Sequence, residues 1–273
     1  MSAPRIDLYS DTNTKPTPPM RHAMAEAEVG DEQAFEDPTV NKLCAMVAEL
    51  LGQEAAVFLP SGTMCNQIAF RVHCQPGDEI ILDYTAHPIN AESGGPSALA
   101  NAQTRALHTE LGIFTADQVR AAIRPVRRHV PRSRVVSIEN TTNAGGGSVW
   151  PIEDIAAVTA VARENDMAAH MDGARLMNAV VESGTPAKEY GKHFDSLWLD
   201  LSKGLGCPIG GVLAGSADFI EQAWRFKQQM GGAMRQAGIV AAAGVYALEN
   251  NVARLAEDHE NARSFSRDIA QIP

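Results

Sequence analysis

The hydrophobic residues of this chain fall into two kinds of segment, short continuous runs and stretches with helical spacing. The short runs, bounded by turn residues, predict buried strands at residues 55–59, 79–82, 135–138, 167–171, 197–201 and 211–214. The helical spacing predicts helices at residues 38–51, 64–74, 117–123 and 152–165. Because strands and helices alternate, we predict an α/β fold with a mostly parallel sheet and helices on both faces.

The last part of the chain predicts one long helix over residues 238–269, which is Ala-rich at first and charged further on. No further strand pattern follows this helix in the sequence. We therefore divide the chain into an N-terminal segment (1–16), a large domain (17–248) and a linking helix (249–273). We expect that helix to begin a truncated or disordered C-terminal domain.

Composition narrows the class of protein. The chain has 273 residues, of which 45% are hydrophobic and 21% charged, as is ordinary for a globular protein. Its net charge of -10 would repel nucleic acid. The sequence has neither a run of about 20 apolar residues nor a signal-peptide core, so we predict no membrane partner and a cytoplasmic location. The four cysteines include no CxxC pair, which argues against a metal site or a disulfide framework.

The strongest chemical signal is Lys203, which follows an apolar strand and is itself followed by Gly204 and Gly206. A lysine at a strand end is usually structural or solvated. Here the glycines let a bulky group approach the backbone, and partial desolvation weakens the preference of the lysine for its ammonium form. Such an amine can form an imine with a carbonyl compound.

A second signal is Asp172, at the end of another predicted strand and 31 residues before Lys203. A carboxylate at a strand tip of an open α/β sheet points into the ligand crevice. Facing a pyridine nitrogen, it would keep that nitrogen protonated and make the ring an electron sink. The alternative is that Asp172 caps the following helix, but Arg175 and Lys203 behind it favour the cofactor role.

A third signal is the turn Ser61-Gly62-Thr63, which links an apolar strand to a helix. A glycine turn at a helix N-terminus offers free N–H groups and a favourable dipole to a phosphate. Such a turn is common in α/β proteins. Its position before the aspartate and the lysine is what makes it a candidate phosphate site.

Together these signals resemble the aspartate-aminotransferase-like fold of pyridoxal-phosphate (PLP) enzymes, known as fold type I. Eight motifs in order are similar to those of the low-specificity L-threonine aldolase family, and they cover essentially the whole chain. They lie at residues 6–12, 29–31, 36–40, 58–63, 137–141, 172–175, 202–206 and 234–238.

The resemblance implies that pyridoxal 5'-phosphate is the cofactor, held by Lys203 as a Schiff base with Asp172 at the pyridine nitrogen. It implies retro-aldol cleavage of L-threonine, L-allo-threonine or a related β-hydroxy-α-amino acid to glycine and an aldehyde. His87 matches a family histidine that stacks on the cofactor ring and is a candidate for proton transfer. His129 matches a second family histidine near the β-hydroxyl, although its Arg-rich surroundings also fit a solvated loop.

The resemblance also implies how the cofactor phosphate is held. Ser61, Gly62 and Thr63 match the phosphate-binding turn of the family. Arg235 matches an arginine that reaches a phosphate from the neighbouring subunit. Family members are homotetramers, built as dimers of dimers with shared active sites, so we expect this chain to form a homo-oligomer.

For the amino acid substrate, Ser10 and Arg175 match residues that contact its carboxylate or the ring hydroxyl. Glu92 aligns with a family acid near the active site and is a candidate substrate contact. Ala34 and Phe35 stand where the family has Tyr-Gly, which leaves the substrate range open. The small C-terminal domain of the family, which supplies an arginine for the substrate carboxylate, is largely absent from this chain.

Two other functions are compatible with the same residues. A β-eliminating lyase or racemase acting on serine-like or phenylserine-like substrates would use the same cofactor chemistry. A catalytically silent assembly protein could keep the PLP fold without activity, although the presence of Lys203, Asp172 and His87 argues against it.

Overall fold

A computed structural model describes residues 6–272. A sheet of seven strands lies at its centre, in the order β1-β7-β6-β5-β4-β2-β3. The strands are β1 (Ala55–Leu59), β2 (Glu79–Asp83), β3 (Gln103–Leu107), β4 (Ser133–Glu139), β5 (Ala168–Asp172), β6 (Ser196–Asp200) and β7 (Gly211–Gly215).

The helices flank this sheet. They are α1 (Pro18–Ala25), α2 (Pro38–Leu51), α3 (Gly62–His73), α4 (His87–Asn90), α5 (Gly95–Ala98), α6 (Ala116–Ala122), α7 (Ile152–Glu164), α8 (Leu176–Ser183), α9 (Ala187–Gly191), α10 (Ala217–Gln229), α11 (Gly238–Asn250) and α12 (Leu255–Ile269). Short 3₁₀ turns lie at Asp11–Asn13 and Glu32–Ala34. The predicted α/β fold with a mixed, mostly parallel sheet is confirmed.

The direction of the strands decides where chemistry can occur. β7 runs antiparallel to its neighbours β1 and β6, and the other neighbouring strands pair in parallel. Parallel strands end at one edge of a sheet, and four of them end in an acid here: Asp83, Glu139, Asp172 and Asp200. The carboxyl edge of the sheet is therefore strongly acidic.

Each strand places alternate residues on opposite faces, and helices cover both faces. On β6, Trp198 packs with α3 and α10 on one face, whereas Leu197 and Leu199 belong to the larger core on the other face. On β5 the same alternation puts His170 and Asp172 on the α3 side, because the two residues are two positions apart.

Three features differ from the sequence-based expectation. The edge strand β3 was not predicted, because three of its five residues are exposed and it has no apolar run. Six helices were also not predicted: α1, α4, α5, α8, α9 and α10. The single helix over residues 238–269 is wrong, since α11 ends at Asn250 and α12 begins at Leu255.

The turn between α11 and α12 makes specific contacts with the rest of the protein. Asn251 is buried and its side-chain amide donates to the carbonyl of Leu205, at 2.7 Å. Leu255 then packs close to Gly204, where an added Cβ would lie 2.8 Å from the leucine Cδ2. The turn between the two helices is thus attached to the loop that follows β6.

Helix α12 packs against α8, where Arg263 pairs with Glu182 and Asn178 contacts His259. The division into segments 1–16, 17–248 and 249–273 stays a prediction, and residues 1–5 and 273 lie outside the described part of the chain. None of the helices found between residues 6 and 272 combines the length and the apolar character needed to cross a bilayer.

Candidate active site

A pocket of about 430 Å³ opens at the carboxyl edge of the sheet, within the usual size range for small-molecule sites. Its walls come from the loops after β1, β2, β4, β5 and β6 and from the N-terminal segment. Eight predicted site residues line it together: Ser10, Ser61, Gly62, Thr63, His87, Asp172, Arg175 and Lys203.

Lys203 lies in the loop after β6, with its side chain mostly buried. Its Nζ pairs with the carboxylate of Asp200, the last residue of β6, and lies 5.8 Å from the ring centroid of Trp198. The hydroxyl of Thr14 donates to the Lys203 carbonyl at 2.8 Å. These contacts hold the amine at the pocket wall, where a carbonyl compound could reach it.

Asp172 is buried at the tip of β5. Its Oδ2 accepts a hydrogen bond from Asn66 at 2.8 Å, and its Oδ1 accepts one from the Ala174 N–H at 3.0 Å. Burial, and next the charge of Glu139, raise the pKa of Asp172 to about 7. A positively charged group in the pocket would relieve this unfavourable burial, so the site suits a protonated ring nitrogen.

The alternative reading of Asp172 as a helix cap does not match the structure. Helix α8 begins at Leu176 with Arg175 as its N-cap, so Asp172 lies outside the helix terminus. Its bond to the Ala174 N–H closes a local turn instead.

His87 is the first residue of the short helix α4. Its backbone N–H donates to Glu139 at 2.9 Å, and its Nδ1 lies 2.9 Å from Oε1 of Glu92. The hydrogen bond that His87 donates to Glu92 raises the pKa of His87, while burial opposes that change. Because Nδ1 donates to a carboxylate, a neutral His87 keeps the lone pair on Nε2 and can accept a proton there.

Glu92, predicted as a substrate contact, is placed differently by the structure. Its side chain is fully buried below the pocket and accepts hydrogen bonds from Asn66 and Gln67 as well as contacting His87. A carboxylate that is buried and surrounded by donors cannot also meet a substrate. We therefore revise the assignment of Glu92 from a substrate contact to a support for His87.

The turn before α3 fits a phosphate. Ser61 is the N-cap, and its hydroxyl accepts from the Met64 N–H at 3.2 Å. The N–H groups of Gly62 and Thr63, in the first turn of this 12-residue helix, have no partner within the helix. A Cβ on Gly62 would collide with the Trp198 ring, which explains the glycine. The turn therefore presents backbone donors and a positive dipole end to the pocket.

Arg175 lines the same pocket. Its Nε and Nη2 donate to the two oxygens of Asp11, at 2.7 and 2.8 Å. Ser10 caps the 3₁₀ turn that carries Asp11, by accepting from the Thr12 N–H at 3.2 Å. The N-terminal segment thus orients the guanidinium and leaves its remaining N–H groups for an anion.

Besides Glu92, two predicted site residues are not brought to this pocket by their own chain. His129 is exposed in a turn before β4, and β4 then runs about 20 Å before it reaches the pocket at Glu139. Arg235 is exposed and pairs with Asp31 at 2.6 Å. Neither residue is part of the pocket lining formed by residues 6–272.

The structure also adds residues that the sequence analysis missed: Asp11, Asn66, Glu139, Trp198 and Asp200. Glu139 and Asp200 could have been found, since each is the polar end of an apolar strand, like Asp172. Asn66 has no comparable signal, because it is one polar residue within a helix and only the packing of α3 on the sheet explains it.

Comparison with known proteins agrees with this geometry. A sequence profile of the beta-eliminating lyase family matches residues 7–273. The low specificity L-threonine aldolase of Escherichia coli K12 is 46% identical over 267 residues, which cover 97% of this chain and 79% of that protein. The low-specificity L-threonine aldolase 1 of Arabidopsis thaliana is 39% identical over 271 residues, covering 98% of this chain and 76% of that protein.

A solved structure of the Leishmania major threonine aldolase aligns with a TM-score of 0.80. It is 20% identical, and the alignment covers 90% of this chain and 73% of that chain. At this identity the likeness concerns the fold alone. Fold and profile together define the class, a lyase of PLP fold type I. The relatives go further, and the chain belongs to the low-specificity L-threonine aldolase family.

Proposed function

We propose that this protein is a PLP-dependent aldolase that cleaves L-threonine, L-allo-threonine or related β-hydroxy-α-amino acids to glycine and an aldehyde. One observation carries the proposal. Lys203, Asp172 and His87, which come from loops or ends of three different strands, line one pocket together with an arginine and a helix N-terminus. Each has a partner that suits the role proposed for it.

The residues fit pyridoxal 5'-phosphate as the cofactor. Lys203 would hold it covalently through its amine, Asp172 would face its ring nitrogen, and the Ser61-Gly62-Thr63 turn would bind its phosphate. When bound, the cofactor supplies an electron sink for the carbanion that forms at Cα as the Cα–Cβ bond breaks. The raised pKa of Asp172 supports this assignment, because the carboxyl is buried beside other acids and needs a cationic partner.

His87 is the proposed base for the β-hydroxyl proton. Glu92 accepts from Nδ1, so Nε2 is the atom that can take this proton. The carboxylate also stabilises the charged imidazolium once the proton has moved. Because the ring is half-exposed in the pocket wall, Nε2 can approach a substrate while Nδ1 stays bonded to Glu92.

Arg175 and Ser10 are the proposed contacts for the substrate carboxylate. A guanidinium can hold a carboxylate through two parallel hydrogen bonds. Asp11 uses one edge of the Arg175 side chain, and this leaves the remaining N–H groups for the amino acid.

We further propose a homo-oligomer, a dimer of dimers with shared active sites, in the cytoplasm. His129 and Arg235 lie outside the pocket of their own chain, so the roles implied for them need a second copy. Mixing Lys203→Ala subunits with Arg235→Ala subunits tests this point, because hybrid interfaces would restore some intact sites. Mixtures that regain no aldolase activity would contradict the shared-site proposal.

The profile match gives β-elimination as a second candidate activity. The two reactions release different products, an aldehyde with glycine in one case and ammonia with an oxo acid in the other. Purified protein should therefore be incubated with PLP and L-threonine, with Lys203→Ala as the control. Glycine and acetaldehyde in equal amounts, absent from the control, would support the aldolase. Ammonia without glycine would overturn it in favour of elimination.

A further inference from the structure

A chain of buried polar groups lies under the pocket, between α3 and the sheet. Its centre is Asn66, a fully buried residue of α3. The Nδ2 group of Asn66 lies 2.8 Å from Oε1 of Glu92 and 2.8 Å from Oδ2 of Asp172. One amide therefore donates both to Glu92, which supports His87, and to Asp172, the proposed partner of the ring nitrogen.

The orientation of this amide is determined by its neighbours. The two carboxylates are acceptors, so the NH₂ group of Asn66 must face them and donate one hydrogen to each. Its Oδ1 then faces Nε1 of Trp198 at 2.8 Å and Nε2 of His170 at 3.1 Å. The indole N–H can only donate, so the same orientation follows independently from the other end of the side chain.

This orientation determines the tautomer of His170. Burial lowers the pKa of His170 to about 3, so the ring is neutral and carries one proton. That proton must lie on Nε2, because Asn66 Oδ1 is an acceptor. Nδ1 then accepts from the hydroxyl of Ser196 at 2.8 Å, and Ser196 in turn lies 2.8 Å from Nε2 of His73. Each hydrogen bond of this network thus has a defined donor and a defined acceptor. The direction of donation leads toward the two carboxylates.

We propose that Asn66 and His170 are positioning residues for the active site: the Nε2–H of His170 holds the Asn66 amide so that it donates to Asp172 and Glu92 together. In this arrangement Asp172 stays an acceptor for a cationic ring nitrogen, and Glu92 stays an acceptor for Nδ1 of His87. The inference rests on the proposed cofactor site, but not on which bond of the substrate is cleaved.

The geometry makes the donor from Asn66 important. Between residues 6 and 272, Asp172 accepts from two groups, the Asn66 amide and the Ala174 N–H. Both burial and Glu139 favour its protonated form, and the Asn66 hydrogen bond acts against them. Without that bond, the carboxyl should stay protonated to a higher pH and bind a cationic ring less well.

Infrared spectroscopy of the apoprotein can test this directly. The protonated-carboxyl band of Asp172, assigned by its loss in Asp172→Asn, should titrate near pH 7 in the wild type. In Asn66→Leu we expect the midpoint to move upward. Titration of pyridoxal 5'-phosphate into the same proteins should give a Kd about tenfold higher for Asn66→Leu, as for loss of a hydrogen bond to a charged group.

Two further comparisons separate positioning from simple packing. His170→Phe removes the donor to Asn66 together with the acceptor for the Ser196 hydroxyl, whereas His170→Gln keeps an N–H donor. We expect His170→Phe to change the midpoint and the Kd in the same direction as Asn66→Leu, and His170→Gln to restore both in part. Thr159→Val is the matched control, since it removes a buried hydroxyl that bonds only within α7.

The proposal is overturned if Asn66→Leu and His170→Phe change neither quantity more than Thr159→Val does. If Asn66→Leu does not fold, the His170 pair decides the question alone. A wild type that binds the cofactor but does not cleave threonine would contradict the aldolase proposal without contradicting the positioning role of Asn66 and His170. The infrared midpoint is measured without cofactor, so the role of Asn66 toward Asp172 is tested even if no cofactor binds.

Discussion

Arg175 directs two nitrogens at Asp11, Nε at 2.7 Å from Oδ2 and Nη2 at 2.8 Å from Oδ1, although the two residues are 164 positions apart in the sequence. The pair joins the N-terminal segment to the start of α8 at the pocket wall. The anion site proposed for the substrate is therefore oriented by an internal carboxylate before any substrate arrives.

Arg175→Lys should raise KM for L-threonine about tenfold or more and change kcat less, because an ammonium cannot reproduce the two-pronged contact. Asp11→Asn should give a smaller increase, since it keeps the shape but weakens the hold on the guanidinium. Steady-state kinetics of both variants provide the measurement. An unchanged KM in Arg175→Lys would exclude Arg175 from carboxylate binding.

Glu92→Gln should move the acidic limb of the kcat/KM profile to lower pH. His87 can act as a base only when it is neutral, and Glu92 raises the pKa of His87 through the hydrogen bond to Nδ1. A neutral amide removes the charge that stabilises the imidazolium, so His87 loses its proton at a lower pH. The pH dependence of kcat/KM checks this. A limb that does not move would mean that another group is the base.

Asp172→Asn should make the apoprotein more stable at pH 8. The pKa of Asp172 is raised from 3.8 to about 7, so the folded state favours the protonated acid. That contribution to stability is full below pH 3.8 and is lost as the pH rises through 7. The loss amounts to about 4 kcal/mol, at about 1.4 kcal/mol for each pKa unit. Asparagine stays neutral and avoids it.

Urea unfolding of cofactor-free wild type and Asp172→Asn, at pH 5 and pH 8, measures this difference. The wild type should lose more stability than the variant between the two pH values. The variant should also bind pyridoxal 5'-phosphate more weakly, because it cannot carry the negative charge. Equal pH dependence in both proteins would contradict the raised pKa.

Gly62→Ala should destabilise the fold by about 1–3 kcal/mol, the usual cost of overpacking. The added Cβ would collide with the Trp198 ring, which is itself tied to Asn66 through its indole N–H. Trp198→Phe in the same protein should relieve part of this cost. A double-mutant cycle by urea unfolding measures the coupling, and additive effects of the two changes would show that the collision is not the cause.

The sequence predicted the fold class and the principal groups of the site because these depend on local patterns. Lys203, Asp172 and the turn at Gly62 each follow an apolar strand, and parallel strands bring their ends to one edge. The edge strand β3 was not predicted because most of its residues are exposed to solvent and it lacks an apolar run.

The partners of these groups could not be predicted in the same way. Asn66 meets His170 and Asp172 only because α3 packs over the face of β5 to which both side chains point. The family resemblance implied that Glu92 lies near the substrate. Asn66 and Gln67 pack around its carboxylate, however, and leave it no access to the pocket. Such contacts depend on the angle between a helix and a sheet, which no local pattern contains.

The turn between α11 and α12 has a mechanical consequence for the lysine loop. Asn251 is bonded to the backbone of Leu205, and Leu255 packs against Gly204, so both contacts reach the two residues that follow Lys203. Any tilt of α12 relative to the sheet would pull on that loop. The position of α12 and that of the Lys203 loop are therefore coupled through the contacts of Asn251 and Leu255.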